Sequence, residues 1–304
     1  MRPLTDEDIL KDIIEQMEKG VLPWRRPWSD SVDQVVIGSL IHAAAKWPSN
    51  LRAPKVPFGV FNGMLLLAQA MKRGYRTNLW IARQVVEELD ASLVDDDNRP
   101  VAIQRYWDEY SPYHKSQSGV RLVYNIDQIW DCEKTLGLAI LKRKGPVDKR
   151  RYMSSQKLLQ TLIEHHSLTV IHDNRAAYSP SWDVVMMPHI SQFDVVMINS
   201  ALDTDSVAGY WATLWHEVVH WTGHTSRLNR ERHRRWGDKT YAFEELIAEL
   251  GAAFLCAHLG IDGELQHESY LDSWCRALKQ ERAQSLWAAS RYATAAKDFI
   301  LSKG

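Results

Sequence analysis

The sequence predicts an α+β protein of two domains, of which the second is mainly helical with a small sheet. Two observations carry this prediction. Short β-rich runs occupy 101–107 and 120–126, whereas three apolar helical patterns follow one another within 206–301. A basic segment that contains a glycine and a proline separates the two regions, so the predicted domains are 1–145 and 146–304.

The remaining elements follow from apolar spacing. Apolar residues three and four positions apart predict helices, and short apolar runs between turn-forming residues predict strands. The predicted helices cover 6–19, 62–74, 81–89, 155–165, 206–221, 242–259 and about 268–301, and two further strands are predicted at 167–173 and 182–188.

The composition favours a globular protein of a reducing compartment. Of the 304 residues, 45% are hydrophobic and 25% are charged, and the formal net charge of −1 indicates no global attraction to nucleic acid or membrane. The three cysteines, Cys132, Cys256 and Cys275, form no CxxC pair. Since neither a signal-peptide core nor a membrane-length apolar stretch is present, we expect a cytoplasmic protein with no membrane partner.

A metal-binding motif of the HExxH type lies in the predicted helix 206–221. His216 and His220 are four residues apart, so both imidazoles lie on one helix face and reach a single ion. Glu217 lies beside the first histidine, where a carboxylate acts as general base on a water molecule at the ion. The alternative is a buried histidine pair without a metal. The apolar flanks favour the metal, because buried imidazoles need partners.

The third ligand must come from outside the motif. A metzincin would carry its third histidine at position 226, and this chain has Ser226. The helix over 242–259 offers Glu245 and Glu249 on one face, an arrangement that resembles thermolysin-like zincins. We therefore predict Glu245 as third ligand and Glu249 as the residue that orients a ligand histidine. His224 is the alternative ligand, and Glu244 is predicted to lie on a solvated face.

Two segments of the N-terminal region combine aromatic rings with cations, as binding of single-stranded DNA requires. The first contains Trp24, Arg25, Arg26 and Trp28, between Pro23 and Pro27, and the second contains Lys72, Arg73, Tyr75 and Arg76. The alternative is that the two tryptophans anchor a loop in the core while the arginines are merely solvated.

The C-terminal motifs HEVVHWTGHTSRLNR, YAFEELIAELGAAFLCAHLGI, SYLDSW and AASRYATAAKDFIL together resemble the zincin domain of ArdC-type antirestriction proteins of conjugative plasmids and related mobile elements. The N-terminal stretches ILKDIIEQMEKGVLPWRRPW, FGVFNGMLLLAQAMKRGYRTNLWIARQ and YNIDQIWD are similar to the same family. The resemblance covers most of the chain and is most specific over 210–260.

This resemblance implies an N-terminal domain that binds single-stranded DNA and a C-terminal zincin-like metallopeptidase domain. It implies a metal site at His216, His220 and Glu245, with Glu217 as base. The expected cofactor is Zn²⁺, although a site of two histidines and a glutamate also accepts other divalent ions. A protein or peptide substrate is a second expected partner.

Two alternative functions compete with antirestriction. One is a general metalloprotease whose N-terminal domain recognises protein. The other is a DNA-binding module with a structural metal, which the presence of Glu217 disfavours because a structural site needs no base.

Overall fold

The structure is a computed structural model of the chain. It describes residues 2–19, 34–37, 40–43, 47–94, 99–104, 119–141, 151–193, 206–230, 239–259, 261 and 283–302. The chain divides into two compact units, one formed by 1–16 and 26–145 and the other by 17–25 and 146–304. The prediction of an α+β protein with two domains is confirmed.

The described residues of the first unit form a mixed five-stranded sheet, a separate three-stranded sheet and four helices. Its helices are α1 (Asp6–Glu18), α2 (Val60–Arg73), α3 (Arg83–Glu88) and α4 (Cys132–Leu136). Its strands are β1 (Gln34–Ile37), β2 (Leu40–Ala43), β3 (Ser49–Asn50), β4 (Ala53–Pro57), β5 (Leu79–Ala82), β6 (Val101–Gln104), β7 (Val120–Asn125) and β8 (Leu138–Leu141). The strand orders are β4-β3-β5-β7-β6 and β2-β1-β8.

Helix α2 is attached to the end of β6 by one buried amide. The side chain of Asn62 donates to the carbonyl oxygen of Gln104 at 2.7 Å and accepts from its backbone N–H at 3.0 Å. The apolar residues of α2 are buried along its whole length, so the helix forms the core of this unit together with the sheet. The predicted helix 62–74 is confirmed within two residues.

The predicted helix 81–89 is only partly correct. Leu79–Ala82 form strand β5, which pairs antiparallel with β7 and parallel with β3, and the helix begins at Arg83. Trp80 and Ile81 are both 1% exposed. A continuous apolar run of this kind is typical of a strand buried on both faces, and periodicity alone does not distinguish it from a helix.

In its described residues, the second unit contains a small sheet and four helices. The helices are α5 (Arg151–His166), α6 (Ser206–Thr222), α7 (Lys239–Leu259) and α8 (Ala283–Leu301), and the strands are β9 (Thr169–His172), β10 (Ala177–Ser179) and β11 (Val184–Met187). In the sheet, β11 lies between β10, antiparallel to it, and β9, parallel to it. The sequence did not predict β10, and residues 268–282 of the predicted last helix lie outside the described residues.

Helices α6, α7 and α8 pack against one another and form the core of the second unit. Trp215 and Trp221 on α6 are completely buried, and the Trp221 ring contacts Phe299 of α8 at a centroid distance of 6.0 Å. A Cβ added at Gly251 of α7 would lie 3.0 Å from both methyl carbons of Val219. Glycine at this position therefore permits the close approach of α6 and α7. None of the helices described above is long and apolar enough to cross a membrane.

Candidate metal centre

Three side chains converge between α6 and α7. The Nε2 atoms of His216 and His220 are 3.2 Å apart. The carboxylate of Glu245 lies across from both, with Oε2 at 3.4 Å from His216 Nε2 and Oε1 at 3.4 Å from His220 Nε2. All three residues are buried. Each histidine thus presents the same ring nitrogen to the point that the glutamate faces.

The spacing of these atoms suits a divalent metal ion. Ligand atoms at about 2.0–2.1 Å from a tetrahedral ion are about 3.3 Å from one another. The three donor atoms of His216, His220 and Glu245 all lie within 4.8 Å of one another. The two Nε2 atoms are 3.2 Å apart, and each lies 3.4 Å from a carboxylate oxygen of Glu245. These residues could therefore hold one ion without rearrangement of the helices.

Each of the two histidines has a further carboxylate near its other ring nitrogen. Glu249 Oε2 lies 3.6 Å from His216 Nδ1, and Glu244 Oε1 lies 3.3 Å from His220 Nδ1. A carboxylate at Nδ1 holds the proton there and leaves Nε2 free to bind a metal. Glu249 thus lies where the sequence predicts a residue that orients a histidine.

The predicted position of Glu244 on a solvated face is wrong. Its side chain is buried, and it binds Arg230 as well as His220. The Nε and Nη2 atoms of Arg230 donate to the two carboxylate oxygens of Glu244 at 3.2 and 3.1 Å. Arg230, one loop beyond the HExxH helix, was not predicted as a residue of the centre, since no local sequence pattern marks it.

The electrostatics of the centre reflect its dense negative charge. Burial opposes protonation of His216, but the neighbouring carboxylates of Glu245, Glu249 and Glu217 outweigh it and raise its pKa to about 10. Burial also opposes protonation of His220, yet Glu245 and Glu244 raise its pKa. Burial works against ionisation of Glu244 and Glu245, but the histidines lower both pKa values, with help from Arg230 at Glu244. A positive charge is therefore favoured between these carboxylates.

The remaining predicted residues of the centre differ in position. Glu217 is 5% exposed, and its charge contributes to the raised pKa of His216. His224, the alternative ligand, does not belong to the group of converging ligand atoms among the described residues, and its Nδ1 lies 2.8 Å from the hydroxyl of Ser226. The geometry thus favours Glu245 over His224.

The predicted DNA-binding residues are described only in part. Trp24, Arg25, Arg26 and Trp28 lie outside the described residues. In the second segment, Lys72 is 2.5 Å from Asp12, and Arg76 donates to Asp127 through its side chain and its backbone N–H. The side chains of Lys72 and Arg76 remain 49% and 51% exposed. Of the other two residues, Tyr75 packs edge-on against Trp80, and Arg73 follows Lys72 at the end of α2.

Two protein-family models match the chain, one for each region. Residues 157–291 match a zincin-like metallopeptidase domain, and residues 5–128 match the N-terminal domain of anti-restriction factor ArdC. The fold and the centre thus define a two-domain protein with a zincin-like metallopeptidase domain. The two matches together cover most of its length, and the chain belongs to the ArdC-type antirestriction family.

Solved structures of similar proteins include two crystal structures of the antirestriction ArdC protein from the R388 plasmid. The Mn(II)-bound one has a TM-score of 0.67 and the metal-free one of 0.65. In both comparisons the identity is 27%, and the match covers 98% of this chain and 97% of that chain.

The curated relatives include much longer proteins. The DNA primase TraC of Escherichia coli is 27% identical over an alignment of 317 residues. The alignment covers 97% of this chain but 27% of TraC. A second TraC of the same organism matches over 20% of its length. The protein y4eC of Sinorhizobium fredii is 26% identical over 297 residues, which cover 94% of this chain and 88% of y4eC. The chain therefore spans about a quarter of the length of the TraC relatives.

Proposed function

We propose that this chain is an antirestriction protein of a mobile element that binds single-stranded DNA and carries a zinc site of the metallopeptidase type. The proposal assigns His216, His220 and Glu245 as metal ligands. It is supported above all by their convergence from two packed helices, with the two Nε2 atoms 3.2 Å apart.

The charge of the centre supports the same assignment. Glu217, Glu244, Glu245 and Glu249 are all buried, and Arg230 forms an ion pair with Glu244. Buried carboxylates are stable as anions only near compensating positive charge. A divalent cation between the histidines and Glu245 supplies it. The Mn(II) bound by the plasmid R388 relative is consistent with a divalent ion here.

The chemistry proposed for this centre is that of a metallopeptidase. A divalent ion in such a site polarises a carbonyl group and makes water more acidic. Glu217 takes a proton from the attacking water and later returns it to the leaving amine. Glu217 is buried, so its carboxylate is screened from bulk water.

The N-terminal domain is proposed to bind single-stranded DNA without strong sequence preference. Stacking would come from Trp24 and Trp28, and contacts to phosphate from Arg25 and Arg26. Lys72, Arg73, Tyr75 and Arg76 form a second proposed contact. The ion pairs of Lys72 with Asp12 and of Arg76 with Asp127 reduce the charge that this second segment offers, so we assign the larger share to the first.

Protection of DNA is proposed to come from coating of single strands rather than from proteolysis, since binding alone shields DNA stoichiometrically. Plasmid transfer into a restricting host tests this with two variants. Under the coating hypothesis, Glu217→Gln protects normally and Trp24→Ala fails to protect. Loss of protection in Glu217→Gln alone would refute coating and favour a peptidase. Mobility shift with single-stranded and double-stranded DNA separates a DNA-binding protein from a general metalloprotease.

A further inference from the structure

The loop after α6 folds back onto the end of the same helix. Backbone N–H groups of Leu228 and Arg230 donate to the carbonyl oxygens of Thr222 and Gly223 at 3.0 and 2.7 Å. Asn229 has a positive φ of 52°, which turns the chain just before Arg230. As a result, the guanidinium group of Arg230 returns to the last turn of the helix that carries the two histidines.

Arg230 is held by four hydrogen bonds at this position. Besides its two bonds to Glu244, Nη2 donates to the carbonyl oxygen of Val219 at 2.7 Å and Nη1 to the hydroxyl of Thr222 at 3.0 Å. The Val219 carbonyl is one of those that a helix leaves unpaired at its C-terminal end. The Arg230 side chain is 4% exposed, so water does not weaken these contacts.

Gly223 leaves the space that Arg230 occupies. A Cβ at this position would lie 3.2 Å from Arg230 Nη2 and 3.0 Å from the backbone oxygen of His220. A side chain here would displace the guanidinium group or the end of the helix. Glycine at this position therefore leaves room for the guanidinium group of Arg230 and for the end of α6.

We propose that Arg230 and Glu244 act together as positioning residues for the metal ligand His220. This inference rests on the metal site proposed above. Arg230 fixes both oxygens of Glu244 by a bidentate ion pair, and Glu244 Oε1 lies 3.3 Å from His220 Nδ1, where it favours the tautomer with the proton on Nδ1. The imidazole is thereby held in the tautomer and orientation that direct Nε2 to the ion.

The ion pair of Arg230 and Glu244 also links the two helices that carry the proposed metal ligands. Arg230 binds Val219 and Thr222, which flank His220 on α6, while Glu244 precedes the ligand Glu245 on α7. One ion pair therefore connects the C-terminal turn of α6 to the residue next to Glu245 on α7. His216 has a different neighbour: its Nδ1 lies 3.6 Å from the carboxylate of Glu249 on α7.

The test removes both charges at once, because a single substitution would leave a buried unpaired charge. Co(II) is titrated into the full chain against a competing chelator, and the visible absorption of the bound Co(II) is recorded. In the double variant Glu244→Met/Arg230→Met, we expect Co(II) binding to weaken on the order of 10- to 100-fold. We also expect an altered absorption spectrum at full loading, because the ring of His220 is no longer oriented. Arg230→Lys, which keeps the charge but loses the bidentate contact, should change both readouts in the same direction by less.

The matched control is Arg227→Met in the same loop. Arg227 binds Asp183 and the carbonyl oxygen of Trp221, and it has no contact with the ligand carboxylates in the described residues. We expect this variant to bind Co(II) as the unaltered chain does. The positioning role would be overturned by an unchanged Co(II) spectrum at full loading in the double variant. If the double variant does not fold, the same result in Arg230→Lys would overturn it. Failure of the unaltered chain to bind Co(II) would instead contradict the metal site itself.

Discussion

The close approach of α6 and α7 at Gly251 makes the centre sensitive to a single methyl group. In Gly251→Ala the new Cβ meets both methyl carbons of Val219 at 3.0 Å, whereas ordinary carbon contacts lie between 3.4 and 4 Å. Val219 is completely buried, and its β-branched side chain has one strongly preferred rotamer in a helix. The helices must therefore separate by a few tenths of an ångström.

The expected cost follows from two opposing effects. Overpacking of a buried contact costs about 1–3 kcal/mol. Replacement of a glycine in a helix interior by alanine stabilises the helix by about 1 kcal/mol. We therefore expect a net destabilisation of roughly 0–2 kcal/mol in Gly251→Ala from these two effects. We expect weaker metal binding as well, because Glu245 and Glu249 on the displaced helix move away from His216 and His220 on α6.

A double-mutant cycle isolates the contact. Val219→Ala removes the two methyl groups that the new Cβ meets, so Gly251→Ala/Val219→Ala should be more stable than the sum of the single effects by about 0.5–3 kcal/mol. Chemical unfolding of the four proteins in chelator and metal titration measure both quantities. Additive free energies of unfolding, or a Gly251→Ala variant that is more stable and binds metal normally, would refute the close approach.

Three further expectations concern protons, DNA and chemistry. At pH 7 metal binding should release a proton from His216, because its pKa without metal is raised to about 10. Calorimetry in buffers of different ionisation enthalpy measures this release, and a buffer-independent heat would contradict it. Since the raised pKa of His216 exceeds that of an unfolded histidine, its contribution to the stability of the metal-free protein should be present below about pH 6.5 and be lost as the pH rises through about 10. Trp24→Ala should weaken single-strand binding by about 1–3 kcal/mol, and Arg25→Ala should reduce its salt dependence; unchanged binding in both would place the surface elsewhere. Glu217→Gln should retain metal and stability but lose any peptidase activity, and retained hydrolysis would exclude it as the base.

The helices that carry the ligands were predictable because their pattern is long and chemically distinctive. His216 and His220 lie one turn apart on an apolar helix, and Glu245 and Glu249 lie one turn apart on the next. A four-residue spacing places both members of each pair on one face in any helix. Their mutual approach depends on how the two helices pack, and the geometry between α6 and α7 supports it.

Glu244 shows where spacing stops being informative. Helix α7 is apolar around most of its circumference, so no polar face identifies which glutamate points to solvent. Glu244 is buried because Arg230 approaches it through a loop that folds back on α6. Such a return is set by tertiary contacts, and no pattern local to either segment encodes it.

Strands β3, β4 and β5 were missed for a related reason, whereas β6 and β7 lie within the predicted strands 101–107 and 120–126. The segment LWIA is apolar at every position, and runs of this length read equally as strand or helix. Strands β3 and β4 are two and five residues long, and β4 contains prolines at its second and last positions. Their assignment depends on hydrogen bonds to neighbouring strands, which sequence periodicity does not report.

The most direct test of the account is the metal content of the purified chain and of its ligand variants, measured by elemental analysis after removal of loosely bound ions. The account expects one divalent ion per chain in the unaltered protein and in Glu217→Gln. It expects none at stoichiometric level in His216→Ala, His220→Ala or Glu245→Ala. Full occupancy in Glu245→Ala, or no ion in the unaltered protein after exposure to Zn²⁺ or Mn²⁺, would contradict the assigned centre.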